Sequence, residues 1–386
     1  MEKKYQRCNQ CVMDTTSKLI CFDEKGECNF CAKHKEITSK TTGLPFAERQ
    51  KMFLADIEKI KRIGKANKYD CIVGISGGMD STYLAYLAKQ NGLRVLLVHF
   101  DNGWNSNHAI SNINKIVHYT GFDLHTHVID WELFKDLQNA YFRASVVDIE
   151  VPTDQLIFAA LYKIAKQYNI KAILSGENMF TETIMPLDWA FEFKLDYTNL
   201  KNIHSKYGER KLNNFPKIGL RQRMQYDRER IKLYCLINNT DFNYFKVIDT
   251  LQKEIGWTNY EGKHFESVFT RFYQGYILPK KFGYDKRLPH LSNLINSGFI
   301  TREQALKELE KPPYPVKDQM EDLEYILKKW EMTREEFETI MKKPKVSHDE
   351  FGYDKMSWWL KFENWLYFFY RYKIAYPLGL LKRPTD

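Results

Sequence analysis

Between residues 69 and 174 the hydrophobic positions alternate between two patterns. Short runs, apolar almost throughout except for the alternating Asp123–Ile129, predict strands at Tyr69–Ile75, Arg94–Phe100, Asp123–Ile129 and Lys171–Leu174. Between them, apolar residues at three- and four-residue spacing predict helices at Thr82–Asn91, Ser106–Thr120 and Asp154–Tyr168, the first two stopped by Gly92 and Gly121. Strands mostly without a polar face, separated by amphipathic helices, predict a parallel sheet covered by helices on both sides. Upstream, Phe46, Met52, Phe53, Ile57 and Ile60 predict a connecting helix. Downstream the pattern is mostly helical, with capping-box starts at Thr301-x-x-Gln304 and Thr333-x-x-Glu336. The expected organisation is a cysteine-rich module at 1–40, the connecting helix at 41–66, an α/β domain at 67–200 and a mostly helical region at 201–386.

Five of the seven cysteines lie in the first 31 residues, including Cys8-x-x-Cys11 and Cys28-x-x-Cys31 with sixteen residues between the pairs. Two cysteines three apart on a tight turn can face one tetrahedral metal, and a short hairpin turning at Gly26 would set the second pair opposite the first. The module is expected to be a zinc ribbon with Cys8, Cys11, Cys28 and Cys31 as ligands of a structural Zn²⁺. With no open coordination position, such a site serves folding or docking. A disulfide framework would require an oxidising compartment. The first residues carry no apolar leader, and the aromatic stretch near the C-terminus is broken by charges, so the expectation is a cytoplasmic protein. That stretch, with ten aromatic residues between Trp358 and Tyr376, is expected to pack around Trp365–Tyr370 against a domain or partner, with peripheral membrane contact as the other reading.

Charge is uneven. Residues 1–200 hold 24 Lys and Arg against 24 Asp and Glu, whereas residues 201–386 hold 34 against 25, so the whole net charge of +9 lies in the second part. An anionic partner or a solvated basic face both account for it. Within that part, His264, Glu266, Arg271, Lys280, Lys281, Lys286 and Arg287 gather donors able to clamp a diphosphate or a sugar carboxylate.

The first strand runs into Ser76-Gly77-Gly78-Met79-Asp80-Ser81 and then a helix. Gly77 and Gly78 let backbone amides approach an oxyanion, while Ser76, Ser81 and the helix N-terminus add donors. There is no Gly-Lys-Ser/Thr of the Walker type, and Asp80 fits a magnesium holder.

The stretches SGGMDS, VHFDNGW and LSGENMFTET, each at a strand end, resemble the PP-loop ATP pyrophosphatases. That resemblance implies that ATP and Mg²⁺ bind at the loop, with Ser76, Asp80 and Ser81 catalytic. It also implies that Gly77 and Gly78 cradle the leaving pyrophosphate, that Phe100 and Asp101 flank adenine and ribose, and that Gly176 and Glu177 close the site. With CNQC…CNFC and residues 256–314, the chain is similar more narrowly to the N-acetyl sugar amidotransferases of surface-polysaccharide and flagellin-glycan synthesis. Such an enzyme adenylates the acetamido group of a nucleotide-linked or acidic sugar, and ammonia then converts it to an acetamidino group. Neither an N-terminal nucleophilic cysteine nor a Gly-x-Cys-x-Gly elbow is present. The ammonia would therefore come from a separate glutaminase subunit, in company with a cyclase-like channel protein. A tRNA-modifying PP-loop enzyme is the competing expectation, weakened because only Cys71 and Cys235 lie outside the ribbon; the preferred reading involves no nucleic acid. A non-catalytic ATP-binding scaffold would leave Asp80 unexplained.

Overall fold

The computed structural model describes residues 4–212, 215–260, 262–263 and 265–369, the side chains of 363–369 excepted. Five strands, β1 (Cys71–Gly74), β2 (Val95–Asp101), β3 (Asp123–Val128), β4 (Ala172–Leu174) and β5 (Lys232–Tyr234), form one sheet in the order β3-β2-β1-β4-β5. Every neighbouring pair is parallel. The pleat divides the sheet's apolar residues between two layers. Cys71 and Val73 pack with helices α2 (Phe46–Gly64), α3 (Met79–Gln90) and α4 (Asn107–Thr120), whereas Ile72, Leu96 and Val98 pack with α6 (Val151–Gln167). The expected doubly covered parallel sheet is present. Its edge strand β5, which lies in the chain between α9 (Leu220–Arg228) and α10 (Tyr244–Ile255), comes from beyond residue 200, so the sheet is not contained in the 67–200 segment.

Local signals account for most helix ends. Ser106 Oγ accepts from the Ala109 amide to start α4, and Gly121, at φ +67°, ends it. In α13 (Arg302–Leu309) Thr301 and Gln304 exchange the full capping-box pair. In α15 (Arg334–Lys342) Thr333 accepts from the Glu336 amide, but the Glu336 carboxylate turns to Arg143. Helix α3 starts three residues before its predicted first residue, which places Asp80 and Ser81 in its first turn.

The largest core is made of residues distant in sequence. It joins the cysteine module, α1 (Asn29–Ser39), α5 (Trp131–Arg143) and α8 (Tyr197–Tyr207) to the C-terminal helices, among them α11 (Val268–Phe272), α12 (Arg287–Asn296) and α14 (Val316–Trp330). Residues 273–282 between α11 and α12 wind as a π-helix containing Pro279, whose missing N–H cannot join an i→i−4 ladder. Helix α16 (Lys355–Phe369) leaves Trp358 and Trp359 exposed. The packing expected around Trp365–Tyr370 lies outside the described side chains. Among the described residues no helix is long and apolar enough to cross a membrane.

His348, buried in the large core, links acidity to stability. Asn199 Nδ2 donates to the carbonyls of His348 and Gly352, so Asn199 Oδ1, 3.0 Å away, accepts from a protonated Nδ1. The Phe191 ring covers the imidazole at 4.1 Å, and Nε2 has no partner. Burial pushes the pKa down to about 4, against the pull of Asp148 and Asp349, with Lys345 and Lys194 assisting. The unfolded histidine takes its proton near pH 6.5, so below that the unfolded chain binds a proton that the folded chain refuses. Stability is therefore expected to fall as the pH drops through this window, by about 3 kcal/mol near pH 4 from this residue. Urea unfolding of wild type and His348→Gln at successive pH values checks it: the variant's acid limb should be flatter, and parallel limbs contradict the assignment.

Candidate active site

The segment Ser76–Gly78 leaves the carboxyl end of β1, the middle strand, where the chain crosses to β2 on one side and β4 lies on the other. This is the switch point at which ligands of parallel sheets bind. Gly77 takes φ +81°, and a Cβ there would meet Ala109 O at 2.6 Å. Its carbonyl accepts from three donors: Trp257 Nε1 at 2.9 Å, Tyr260 OH at 3.1 Å and Asn112 Nδ2 at 3.3 Å. The loop is thus held from outside, and its donors turn inward. Ser76 Oγ and Ser81 Oγ lie 3.2 Å apart and accept from the Gly78 and Ser76 amides. An oxyanion would compete for the same amides, with both hydroxyls and the α3 N-terminus adding to the attraction.

Asp80 is set by an interaction that sequence reasoning missed. Asn178, buried at the N-terminus of α7 (Met179–Glu182), donates to Asp80 Oδ1 at 2.7 Å. Gly176 passes so close that a Cβ on it would lie 3.7 Å from the Ser81 amide. Glu177 is exposed and meets the Cys235 thiol at 3.7 Å, toward β5. Phe100 stacks on His127 at the end of β2, and Asp101 accepts from the Gly103 amide and Asn105 within its own turn.

A second missed residue supplies the cation absent from the loop. Lys263 Nζ donates to Glu182 Oε1 at 2.7 Å and to Thr181 Oγ1 at 3.3 Å. Burial works against its charge, but the Glu182 and Asp80 carboxylates outweigh it and hold the ammonium above its ordinary range. No local motif marks Lys263, since its partners lie some eighty residues away or more.

The seven basic and polar candidates of the second half separate sharply. Glu266 reaches the cradle: a Cβ on Gly78 would stand 3.0 Å from Glu266 Oε1. Arg271 forms a two-pronged pair with Asp322 at 2.9 and 2.7 Å. Lys280 lies 3.9 Å over the Tyr276 ring. Lys281 donates to the carbonyls of Ile340, Met341 and Lys343 at the end of α15. Arg287 is held by Asp285 and by the Glu308 and Lys311 carbonyls. Among the described residues Lys286 has one hydrogen-bond contact, Met185 Sδ at 3.2 Å. His264 lies outside the described residues.

Among the described residues one group of metal-ligating side chains converges on a point: Cys8, Cys11, Cys28 and Cys31, all buried, with sulfurs within 4.8 Å of one another. Three of the separations are 3.7, 3.8 and 4.0 Å, against about 3.8 Å for tetrahedral Zn–S bonds of about 2.3 Å. Backbone amides of Cys11 and Cys28 approach Cys8 Sγ at 3.4 and 3.3 Å, and Asn296 Nδ2 approaches Cys31 Sγ at 3.4 Å. Arg302 in α13 clasps the Cys8 and Cys11 carbonyls. These four thiolates fit a zinc ion that would tie the N-terminus to the C-terminal helices. For magnesium the fit is of another kind: Asp80 supplies one carboxylate beside donors for phosphate, the sparse protein ligation usual for that ion.

Residues 70–179 match the family described as queuosine biosynthesis protein QueC, and residues 266–365 match that described as LPS biosynthesis protein WbpG-like, C-terminal domain. An uncharacterized protein of Methanocaldococcus jannaschii is 24% identical over 321 residues, covering 80% of this chain and 95% of its own. An NMN synthetase structure from Francisella tularensis covers 57% of this chain and all of its own at 12% identity, with a TM-score of 0.30, too low to carry weight. The sheet, the loop and the first of these matches give the α/β part of the chain a PP-loop-type fold similar to QueC, and the helical region that follows it is similar to the C-terminal domain of WbpG-like proteins.

Proposed function

We propose that the protein is an ATP-dependent amidotransferase that converts the acetamido group of an activated or acidic N-acetyl sugar into an acetamidino group, within lipopolysaccharide O-antigen or related glycan synthesis. One observation carries the reading: the QueC-like and WbpG-like segments meet at the cradle, where Glu266, first residue of the second match, stands against Gly78. A phosphate site assembled jointly by both segments suits a PP-loop reaction within the lipopolysaccharide biosynthesis that the second match names.

In this reaction the acetamido oxygen attacks the α-phosphorus of ATP, and pyrophosphate leaves. Ammonia then adds to the imidate carbon and loses a proton, and AMP departs with the former amide oxygen. Ser76, Ser81 and the loop amides would hold the leaving pyrophosphate, and Lys263 would offset its charge. Magnesium, when bound at Asp80, would neutralise the same developing charge. No protein nucleophile is required.

The ammonia is expected from a partner glutaminase, in company with a cyclase-like channel protein. The two cysteines outside the ribbon lack the surroundings of an activated thiol. Four converge in the N-terminal cluster, burial pushes Cys71 well above its usual range, and burial with Glu177 beside it pushes Cys235 up to about 11. Cys21 lies exposed on the ribbon.

The test is incubation with ATP, Mg²⁺ and a panel of acetamido sugars, with bulk tRNA as the competing substrate, following AMP and a product in which NH replaces O. Turnover is expected with ammonium salts, rising with pH as free ammonia increases, and absent with glutamine alone. Glutamine use by the isolated chain, or AMP formation with tRNA and none of the sugars, would refute the proposal.

A further inference from the structure

A second group of charges, on Asp148, Glu150, Asp154, Lys194 and Lys286, is not used by the reaction outlined above. Most of these groups are already answered. Asp148 takes the Phe191 amide at 3.0 Å and the Glu150 amide at 3.3 Å, and Lys194 bridges Asp154 at 2.6 Å and Asp148 at 3.5 Å. Thr270 Oγ1 donates to Glu150 Oε1 at 2.5 Å and Gln274 Nε2 to Glu150 Oε2 at 3.4 Å. Lys286 differs. Its ammonium has three hydrogens to donate, and its one hydrogen-bond contact among the described residues is a thioether, a weak acceptor. Lys286 is half-buried, and burial lowers its pKa more than Asp148 raises it, as for a cation with no close counter-ion among the described residues. The group is open to solvent, since the Lys194 and Asp154 side chains are 40% and 31% exposed.

Two segments lead from the cradle to this place. Glu266, at Gly78, precedes α11 by two residues, and Thr270 within α11 meets Glu150. Glu182, paired with Lys263, is followed three residues later by Met185, at Lys286. Of the five cations singled out between Arg271 and Arg287, the other four are committed to carboxylates, carbonyls or a ring.

We infer that Lys286, flanked by Lys194, binds the anionic group of the substrate whose acetamido end enters the cradle, with Glu150 accepting from its hydroxyls. The class of ligand, a sugar carrying a carboxylate or a diphosphate, rests on the amidotransferase reading; the anion site itself does not.

Acetic anhydride labelling of the full chain, read residue by residue by mass spectrometry, tests this with three probes: neutral N-acetylglucosamine, N-acetylglucosaminuronic acid and UDP-N-acetylglucosamine. One of the two anionic sugars should slow labelling of Lys286 roughly tenfold or more while the neutral sugar leaves it unchanged, and which of the two does so distinguishes carboxylate from diphosphate. By calorimetry, Lys286→Met should bind that sugar roughly tenfold more weakly with its ATP affinity unchanged, and Lys286→Arg should recover part of the loss. Protection without AMP formation would remove the amidotransferase reading and keep the anion site. Failure of both anionic sugars to protect Lys286, or loss of ATP affinity in Lys286→Met, overturns the inference.

Discussion

Asp80→Ala is expected to abolish AMP formation, lowering turnover by roughly 100-fold or more, equivalent to about 3 kcal/mol of transition-state stabilisation. The carboxylate stands in the first turn of α3 beside the inward-facing loop amides, and Asn178 fixes its orientation at 2.7 Å. As the pyrophosphate departs, negative charge accumulates where only a few protein groups are positive, and removing the metal-holding carboxylate leaves that charge uncompensated. Lys263 offsets only part of that charge, because it shares its ammonium with Glu182, so it would not replace the lost metal site. The fold should survive, since the loop is clamped through the Gly77 carbonyl by Trp257, Tyr260 and Asn112, none of which involves Asp80. Pyrophosphate release is the measurement, with circular dichroism to verify folding. Near wild-type release by a folded Asp80→Ala protein would remove Asp80 from the chemistry.

Loss of the four-cysteine site should be equally drastic, but for stability. Metal analysis is expected to give about one zinc per chain. Replacing Cys8 and Cys31 together by serine should remove it and destabilise the protein by roughly 3 kcal/mol or more, because metal binding is folding free energy where no preformed site exists in the unfolded chain. The effect should spread beyond the ribbon. The four cysteines, Met13 and Ile20 belong to the same core as Leu288 and Leu291 of α12, and Arg302 reaches back to the Cys8 and Cys11 carbonyls. Thermal unfolding with and without a chelator measures this. A chelated protein that is free of zinc and melts at the wild-type temperature would show that the cluster is not a stability site.

Where sequence reasoning succeeded, the signal was local. The β1–α3 turn was legible because a left-handed Gly77 between an apolar strand and a helix is a short-range demand. The two cysteine pairs were legible because metal geometry dictates their spacing. The missed features have other causes. Helix α5 does carry a helical apolar spacing, at Leu133, Leu137, Ala140 and Tyr141, and was passed over; what no local signal announces is that its Lys135, Asp136, Gln138 and Asn139 are buried as well. Gln138 is sheltered there because its Oε1 takes the indole N–H groups of Trp104, 34 residues away, and Trp330, 192 residues away. Strand β5 has three residues, two of them exposed at the sheet edge, too few to show an alternation.

The chain alone determined the parallel α/β pattern, the phosphate turn and the zinc-type cysteine spacing, since each depends on backbone conformation or ligand geometry within a short stretch. Only the tertiary structure decided which charges remain available for chemistry. Arg271, Lys281, Lys286 and Arg287 are equivalent cations in one dimension, yet Asp322, the carbonyls ending α15 and Asp285 claim three of them while Lys286 is left beside a thioether. In the same way the cation at the cradle comes from Lys263 and the donor to Asp80 from Asn178, 98 residues away. A charge's usefulness depends on its distance to every other charge and on its share of water, and those distances exist only once the chain has folded.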